Sequence, residues 1–325
     1  MANETVRNVI IIGGAPAGYT AAIYLSRATL SPLLLAGEKA GGQLMWTTLV
    51  ENYPGFANGV QGPDLMQQMR DQAIKFGTEV KNEDVTKVDF SGQVKKVWVG
   101  ETEYLAKTVI ISLGASPRMT GAGEERLFGR GVSTCATCDA AFFKGKTVYV
   151  VGGGDSAMED TLTLSMYTNK LTIIHRKDSF KASKIMQDRV LLTKKVPVLW
   201  NTELVEVIGE TKLEKIKVED NRTGETKELP AEGLFVAVGH MPNSDLFKGQ
   251  LELDQMGYIV TNMTTSKPTN NQEVWLHGAP TQTSVPGVFA SGDVVDLRYK
   301  QAITAAGFGC MAALDAEKFL TGALE

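Results

Sequence analysis

Val9-Ile10-Ile11-Ile12 is an unbroken apolar, β-branched run, the pattern of a buried parallel strand. Gly13-Gly14-Ala15-Pro16-Ala17-Gly18 follows it directly, an alanine-rich helix is predicted over Tyr19–Thr29, and a second apolar strand over Pro32–Ala36. Together they predict a βαβ unit with a glycine-rich first turn. The pattern recurs: Thr147–Val151 is apolar, Gly152-Gly153-Gly154-Asp155-Ser156-Ala157 closes it, Met158–Tyr167 reads as a helix and Leu171–Ile174 as the next strand. Two such turns, each between a strand and a helix, predict two nucleotide-binding domains. Val109–Leu113 and Leu234–Val238 end in Gly114 and Gly239 and predict strands at the crossings between domains. Gly287–Ser291 predicts a strand stopping at Gly292-Asp293, and Gln301–Leu320 a long final helix. The polar stretch Thr261–Thr283 reads as a mobile loop or an ordinary hairpin connection.

Composition narrows the class. A chain of 325 residues suggests about two domains, and 43% hydrophobic with 22% charged residues is a globular balance. A net charge of −4 gives no global attraction for nucleic acid or an anionic membrane. Met1–Asn8 is polar, and Val9–Ile12 is far too short for a signal core or a membrane span, so a cytoplasmic location is expected. Three cysteines argue against a disulfide-stapled secreted domain.

A glycine turn feeding a helix N-terminus suits a pyrophosphate, because free N–H groups and the helix dipole favour anionic oxygens. In the first turn Gly13, Ala15 and Gly18 take the G-x-G-x-x-G places, with Ala15 for the middle glycine. The ribose-binding acid expected after the second strand is missing: Ala36 and Gly37 stand there, with Glu38 just after. The alternative is a tight strand–helix turn with no ligand. The second turn, Gly152-x-Gly154-x-x-Ala157, is cleaner. Its following strand ends in His175-Arg176-Lys177, with Lys181 four residues on, and cations there suit a 2′-phosphate, favouring NADP(H) over NAD(H). The alternative is a solvated basic segment.

Cys135-Ala136-Thr137-Cys138-Asp139 admits three readings: a redox pair, half of a zinc site, or two core cysteines. A zinc site lacks a second ligand pair, since only Cys310 and the scattered His175, His240 and His277 remain. Asp139 argues against inert burial and is placed to move a proton onto a leaving thiolate, or else to cap the next segment. Cys310 reads as a packed free cysteine. Met66 and Met69 share a helical face and read as core or interface residues.

The chain resembles the low-molecular-weight bacterial thioredoxin reductases over almost its whole length. The resemblance is carried by the opening Gly-x-x-Pro-Ala-Gly turn, Gly41-Gly42-Gln43-Leu44, Val50–Gly55, the Cys-x-x-Cys-Asp, His175-Arg176-Lys177, and Gly292-Asp293 followed by Tyr299-Lys300-Gln301-Ala302. It implies an α/β fold of two Rossmann-like three-layer domains, an NADPH domain (116–245) inserted into a discontinuous FAD domain (1–115 and 246–325). It implies a homodimer and a flow of electrons from NADPH to FAD, to the Cys135–Cys138 disulfide, and on to thioredoxin.

By the same resemblance Gly13, Gly14, Ala15, Pro16, Ala17 and Gly18 hold the FAD pyrophosphate. Gly42, Gln43, Thr47 and Asn52 line the flavin, with Gly41 also in the cofactor set, Asp293 holds the ribityl–phosphate region, and Gln301 and Ala302 approach the isoalloxazine ring. Gly152, Gly154, Asp155, Ser156, Ala157, His175, Arg176, Lys177 and Lys181 form the NADPH site, and Gly114 and Gly239 complete the cofactor set. Cys138 is the sulfur nearer the flavin, Asp139 the proton donor, and Cys135 the partner sulfur, exposed to thioredoxin once the domains rotate. The chain departs from the family pattern at Ala15, at Lys177, Lys181 and Lys300 where arginines are usual, and at Ser291 where a small apolar residue is usual. Lysine keeps the charge but loses the two-pronged guanidinium. Two rivals stay open: the same scaffold with a donor such as ferredoxin, against which the intact Gly152 turn argues, and a non-catalytic sensor of FAD and NADPH, which needs no Cys-x-x-Cys-Asp.

Overall fold

The structure, a computed structural model, describes residues 5–265 and 278–322. The chain forms two compact units: residues 1–49, 53–116 and 241–325 make the first, and residues 50–52 and 117–240 the second. One unit is thus inserted into the chain of the other. The described α-helices are α1 (Pro16–Arg27), α2 (Gly62–Lys75), α3 (Ala136–Asp139), α4 (Asp155–Leu164), α5 (Lys184–Asp188) and α6 (Ala302–Thr321).

In the first unit Arg7–Ile12 lies between Leu33–Leu35 and Thr102–Ile111, and Glu79–Lys81 and Val288–Ala290 extend the sheet to five parallel strands. The long strand Thr102–Ile111 also pairs antiparallel with Lys95–Val99, which pairs with Lys87–Asp89. Successive strand residues point to opposite faces. Ile10, Ile12, Leu33, Leu35, Val109, Ile111, Val288 and Ala290 accordingly pack in one cluster with Val88, Phe90 and Val97 of the antiparallel arm. The alternating set, Val9, Ile11, Leu34, Ile110 and Phe289, is equally buried and turns to the helical side, where Phe289 meets Phe319 of α6 edge-on at 6.0 Å. This double burial is why the strands read as continuous apolar runs; each such side chain contributes about 1.5–3 kcal/mol. Helix α6 rests on α1 through Gly309, where a Cβ would come within 2.1 Å of the Ala17 carbonyl oxygen. Met66 and Met69 lie on the buried face of α2.

The second unit repeats the plan. Five parallel strands run in the order Val132–Ser133, Gly233–Val236, Val148–Val151, Leu171–His175, Val198–Trp200. One face packs Val148, Val150, Ile173 and Phe235 against Ala157, Met158 and Leu164 of α4. The other packs Tyr149, Val151, Ile174 and Val236 against Leu204, Val207, Ile216 and Val218, from a three-stranded antiparallel sheet of Thr202–Ile208, Lys215–Asp220 and Thr226–Pro230. Both units are therefore three-layered and Rossmann-like.

Helices α1 and α4 begin earlier than their apolar patterns predict. Helix α1 starts at Pro16, whose fixed φ suits a first helical position, and α4 at Asp155, an acid favoured in a first turn. Thr261 and Thr283 face each other across an antiparallel bridge; residues 266–277 of that predicted loop, His277 among them, lie outside the described residues. Among the described residues no helix is long and apolar enough to cross a membrane.

Candidate active site

In the first unit the glycine turn is built by close approach. A Cβ on Gly18 would lie 1.8 Å from the Gly13 carbonyl oxygen, and one on Gly14 2.4 Å from the Ala36 Cβ. Only hydrogen fits at either place, so α1 starts hard against the strand ends. Ala15 is extended, with φ −139° and ψ −170°, a conformation open to any residue, so its methyl costs the backbone nothing. The Gly41 N–H donates to the Gly14 carbonyl at 2.5 Å, and a Cβ on Gly42 would meet the Ala15 methyl at 3.3 Å. Gln43 donates from Nε2 to the Ala115 carbonyl at 2.7 Å, beside Gly114 with its φ of +67°. Thr47 sits over Gly62, 2.7 Å from where a Cβ would be. The predicted Asn52 falls in residues 50–52, which group with the second unit.

Gly292 closes the same corner, 2.9 Å from the Ala17 methyl by its Cβ position. Next to it Asp293 has a buried Oδ1 with no partner. Burial, reinforced by Asp296 and opposed by Lys300, pushes its carboxyl up to about 7. A buried, unpartnered carboxyl oxygen beside a glycine turn and a helix N-terminus fits a polar ligand such as a dinucleotide. Gln301 is the N-cap of α6 in a reciprocal capping pair with Thr304, and Ala302 is the first helical residue. Asp296 shapes the approach to it, accepting the N–H groups of Arg298, Tyr299 and Lys300, each at 2.8 Å. Lys300 has φ +49°, and burial lowers its pKa. The departure at Ser291 has a partner: its hydroxyl meets that of Ser112 at 2.8 Å, both buried.

In the second unit a Cβ on Gly152 would approach the Ala237 carbonyl to 2.5 Å, and one on Gly153 would enter the His175 ring at 2.1 Å. Gly154 faces open space at its Cβ position. The segment after His175 folds back over this turn: the N–H groups of Lys181 and Ala182 both donate to the Gly153 carbonyl, at 2.8 and 3.0 Å. The His175 ring lies against Phe180 and Trp200, with centroids 5.1 and 6.0 Å away. Arg176, Lys177 and Lys181 are exposed, and none makes an ion pair among the described residues. Of the three cationic residues, Lys181 is tied to the turn through its backbone N–H, and Arg176 and Lys177 directly follow His175, whose ring lies against the Gly153 Cβ position. Asp155 is engaged with the chain itself, accepting the Ser183 N–H at 2.9 Å and its hydroxyl at 2.7 Å, which lowers its pKa. Ser156 is exposed and Ala157 buried. Gly239, at φ +104°, accepts the Arg118 N–H at 2.9 Å.

Cys135 and Cys138 form a disulfide with Cα atoms 5.3 Å apart. Cys135 is the N-cap of the four-residue α3. Its carbonyl accepts the N–H groups of Cys138 and Asp139, and its sulfur accepts the Cys138 N–H at 3.2 Å. The Ser133 hydroxyl takes the Cys135 N–H at 3.0 Å, and Asp160 of α4 takes that of Ala136 at 3.2 Å. Cys138 is exposed and Cys135 half-buried. Burial pushes the Asp139 carboxyl above the usual range, partly offset by the Ser133 side chain, so a half-buried acid with a raised proton affinity adjoins the pair. Cys310 is a free thiol on α6, and its side chain reaches Tyr24 of α1.

Asp160, Asp296 and Asn243 are absent from the set read from the sequence. Asn243 donates from its backbone to Gly114 at 3.0 Å and from its amide to Leu113 at 2.9 Å, which fixes the end of a crossing strand. Each is a single polar residue with no motif of its own.

The sequence profile described as Pyridine nucleotide-disulphide oxidoreductase matches residues 7–309. A thioredoxin reductase of Streptomyces clavuligerus is 52% identical over 318 residues, 97% of this chain and 94% of its own length. A bifunctional thioredoxin reductase/thioredoxin of Mycobacterium leprae is 47% identical over 321 residues, 98% of this chain and 67% of its own length. The crystal structure of a thioredoxin reductase from Streptococcus pyogenes superposes with a TM-score of 0.88 at 36% identity, covering 98% of this chain and 100% of that one. With its two glycine turns, its Cys-x-x-Cys disulfide and this likeness along its length, the chain belongs to the pyridine nucleotide-disulphide oxidoreductases, among the thioredoxin reductases.

Proposed function

We propose that the chain is an NADPH-dependent thioredoxin reductase that takes electrons from NADPH through FAD to the Cys135–Cys138 disulfide and on to thioredoxin. The observation that carries this is the disulfide itself, with Cys138 exposed and a carboxyl beside it whose pKa burial raises. The fusion of a reductase and a thioredoxin in the Mycobacterium leprae relative supports thioredoxin as the partner.

The residues fit both cofactors. Gly13–Gly18 and the N-terminus of α1 would hold the FAD pyrophosphate, with Asp293 supplying its buried oxygen and Gln43 and Gln301 flanking. Gly152–Ala157 and the N-terminus of α4 would hold NADPH, with Arg176, Lys177 and Lys181 facing its 2′-phosphate. Flavin, when bound, supplies the exchange between two-electron hydride chemistry and a disulfide. The chain's own residues carry the rest. In the dithiol form, the Cys138 N–H that donates to the Cys135 sulfur would stabilise a thiolate there. That thiolate attacks the partner's disulfide to give a mixed disulfide. The second thiol then closes the Cys135–Cys138 bond and releases the partner as a dithiol. Asp139 holds the proton that the leaving thiolate takes up. A homodimer and a cytoplasmic location complete the proposal.

The test is Cys138→Ser in the flavin-loaded protein. Thioredoxin reduction should vanish while NADPH still bleaches the flavin. Turnover that survives the substitution would show that the assigned chemistry is wrong.

A further inference from the structure

Helix α3 is four residues long, too short to sustain itself by its own hydrogen bonds. Its first N–H groups have no acceptor inside the helix. Ala136, the first helical residue, is fully buried, so water cannot serve its N–H. The acceptor is Asp160 Oδ1 at 3.2 Å. Asp160 stands on α4, six positions after Gly154 and one after Glu159, on a helix fixed in the core by Ala157, Met158 and Leu164. Burial, opposed by the Ala136 N–H and helped by Glu159, pushes the Asp160 carboxyl up to about 7. Neither glycine turn nor thiol exchange, as described above, employs this group.

We propose that Asp160 is a positioning residue of the redox turn: by holding the Ala136 N–H from the nucleotide-turn helix, it keeps Cys135 and Cys138 in register when no disulfide joins them. This deepens the proposed function and rests on the redox use of the pair. Reduction adds two electrons and two protons, breaks the S–S bond and leaves two thiols. The covalent link across residues 135–138 is then gone. Side-chain anchors that remain include Ser133 on the Cys135 N–H and Asp160 on the Ala136 N–H. Holding two thiols together raises their effective concentration for one another and so favours the disulfide.

The experiment equilibrates the flavin-loaded protein in glutathione redox buffers and traps free thiols by alkylation. Asp160→Ala should shift the disulfide–dithiol equilibrium about tenfold toward dithiol, which is about 30 mV for a two-electron couple. Asp160→Asn, which keeps a carbonyl acceptor, should stay near the wild-type value. Thioredoxin turnover should fall in Asp160→Ala, with the rate of flavin reduction by NADPH unchanged. An unchanged equilibrium in a folded Asp160→Ala protein would overturn the proposal, as would an Asp160→Asn shift as large as that of alanine. The glutathione equilibrium needs neither NADPH nor thioredoxin, so it stands apart from a failure of the proposed activity.

Discussion

Asp293 makes the flavin-free protein sensitive to pH in a calculable way. Its carboxyl is raised from 3.8 to about 7, burial being the main cause, and Oδ1 has no partner. In the unfolded chain the group ionises near 3.8. A carboxyl raised on folding favours the native state at low pH, and that advantage is lost as pH climbs through the folded value. Each pKa unit is worth about 1.4 kcal/mol. From about pH 5 up to the folded value the unfolded carboxyl is ionised and the native one is not, an interval of about two pH units. On the order of 2–3 kcal/mol should therefore disappear between about pH 5 and about pH 8. Asp293→Asn cannot ionise and lacks this loss. Urea unfolding of the flavin-free wild-type and Asp293→Asn proteins, at both pH values, gives the difference between them. Other raised carboxyls, Asp139, Asp160 and Asp315, are common to both proteins and drop out of that difference. Wild type should lose about 2–3 kcal/mol relative to the variant on going from about pH 5 to about pH 8. A difference that stays constant would refute the buried, unpartnered carboxyl and with it the argument for a ligand at that oxygen.

Gly153→Ala drives a methyl into the His175 ring and should raise the dissociation constant for NADPH about tenfold or more, with flavin content unchanged; nucleotide titration followed by flavin and tryptophan fluorescence checks it. Ser291→Ala strands the Ser112 hydroxyl and should cost about 1–3 kcal/mol, whereas Ser112→Ala with Ser291→Ala should recover most of that loss, as a double-mutant cycle in urea would show. Replacing Arg176 and Lys177 together with alanine should lower the preference for NADPH over NADH by about 100-fold, chiefly through KM for NADPH, in steady-state assays with both nucleotides.

The apolar runs Val9–Ile12 and Thr147–Val151 made the parallel strands and the two glycine turns legible in the sequence, because strands buried on both faces leave no alternation to misread. The cysteine pair and the cations after His175 were legible for a similar reason: each is a local pattern tied to a turn. The antiparallel arms were not. Lys87–Asp89 and Lys95–Val99 are short and half polar, and their pairing is set by Thr102–Ile111 rather than by their own residues. Asp160 and Asn243 were equally silent, since each acts on a backbone group brought near only by the fold; Asp296 acts locally, on the N–H groups two to four residues ahead, in a turn with no apolar pattern to mark it. Ser291 looked like a departure until Ser112 stood opposite it across 179 residues of chain.

In the proposed reaction electrons pass from NADPH to a flavin and then to Cys135–Cys138. Anaerobic titration of the flavin-loaded protein with NADPH tests it most directly, with NADH in parallel and Cys138→Ser as reference. The wild type should consume two two-electron equivalents, one for the flavin and one for the disulfide, Cys138→Ser only one, and NADPH should outperform NADH. A flavin that NADPH leaves oxidised, or an equal consumption by wild type and Cys138→Ser, would contradict the account.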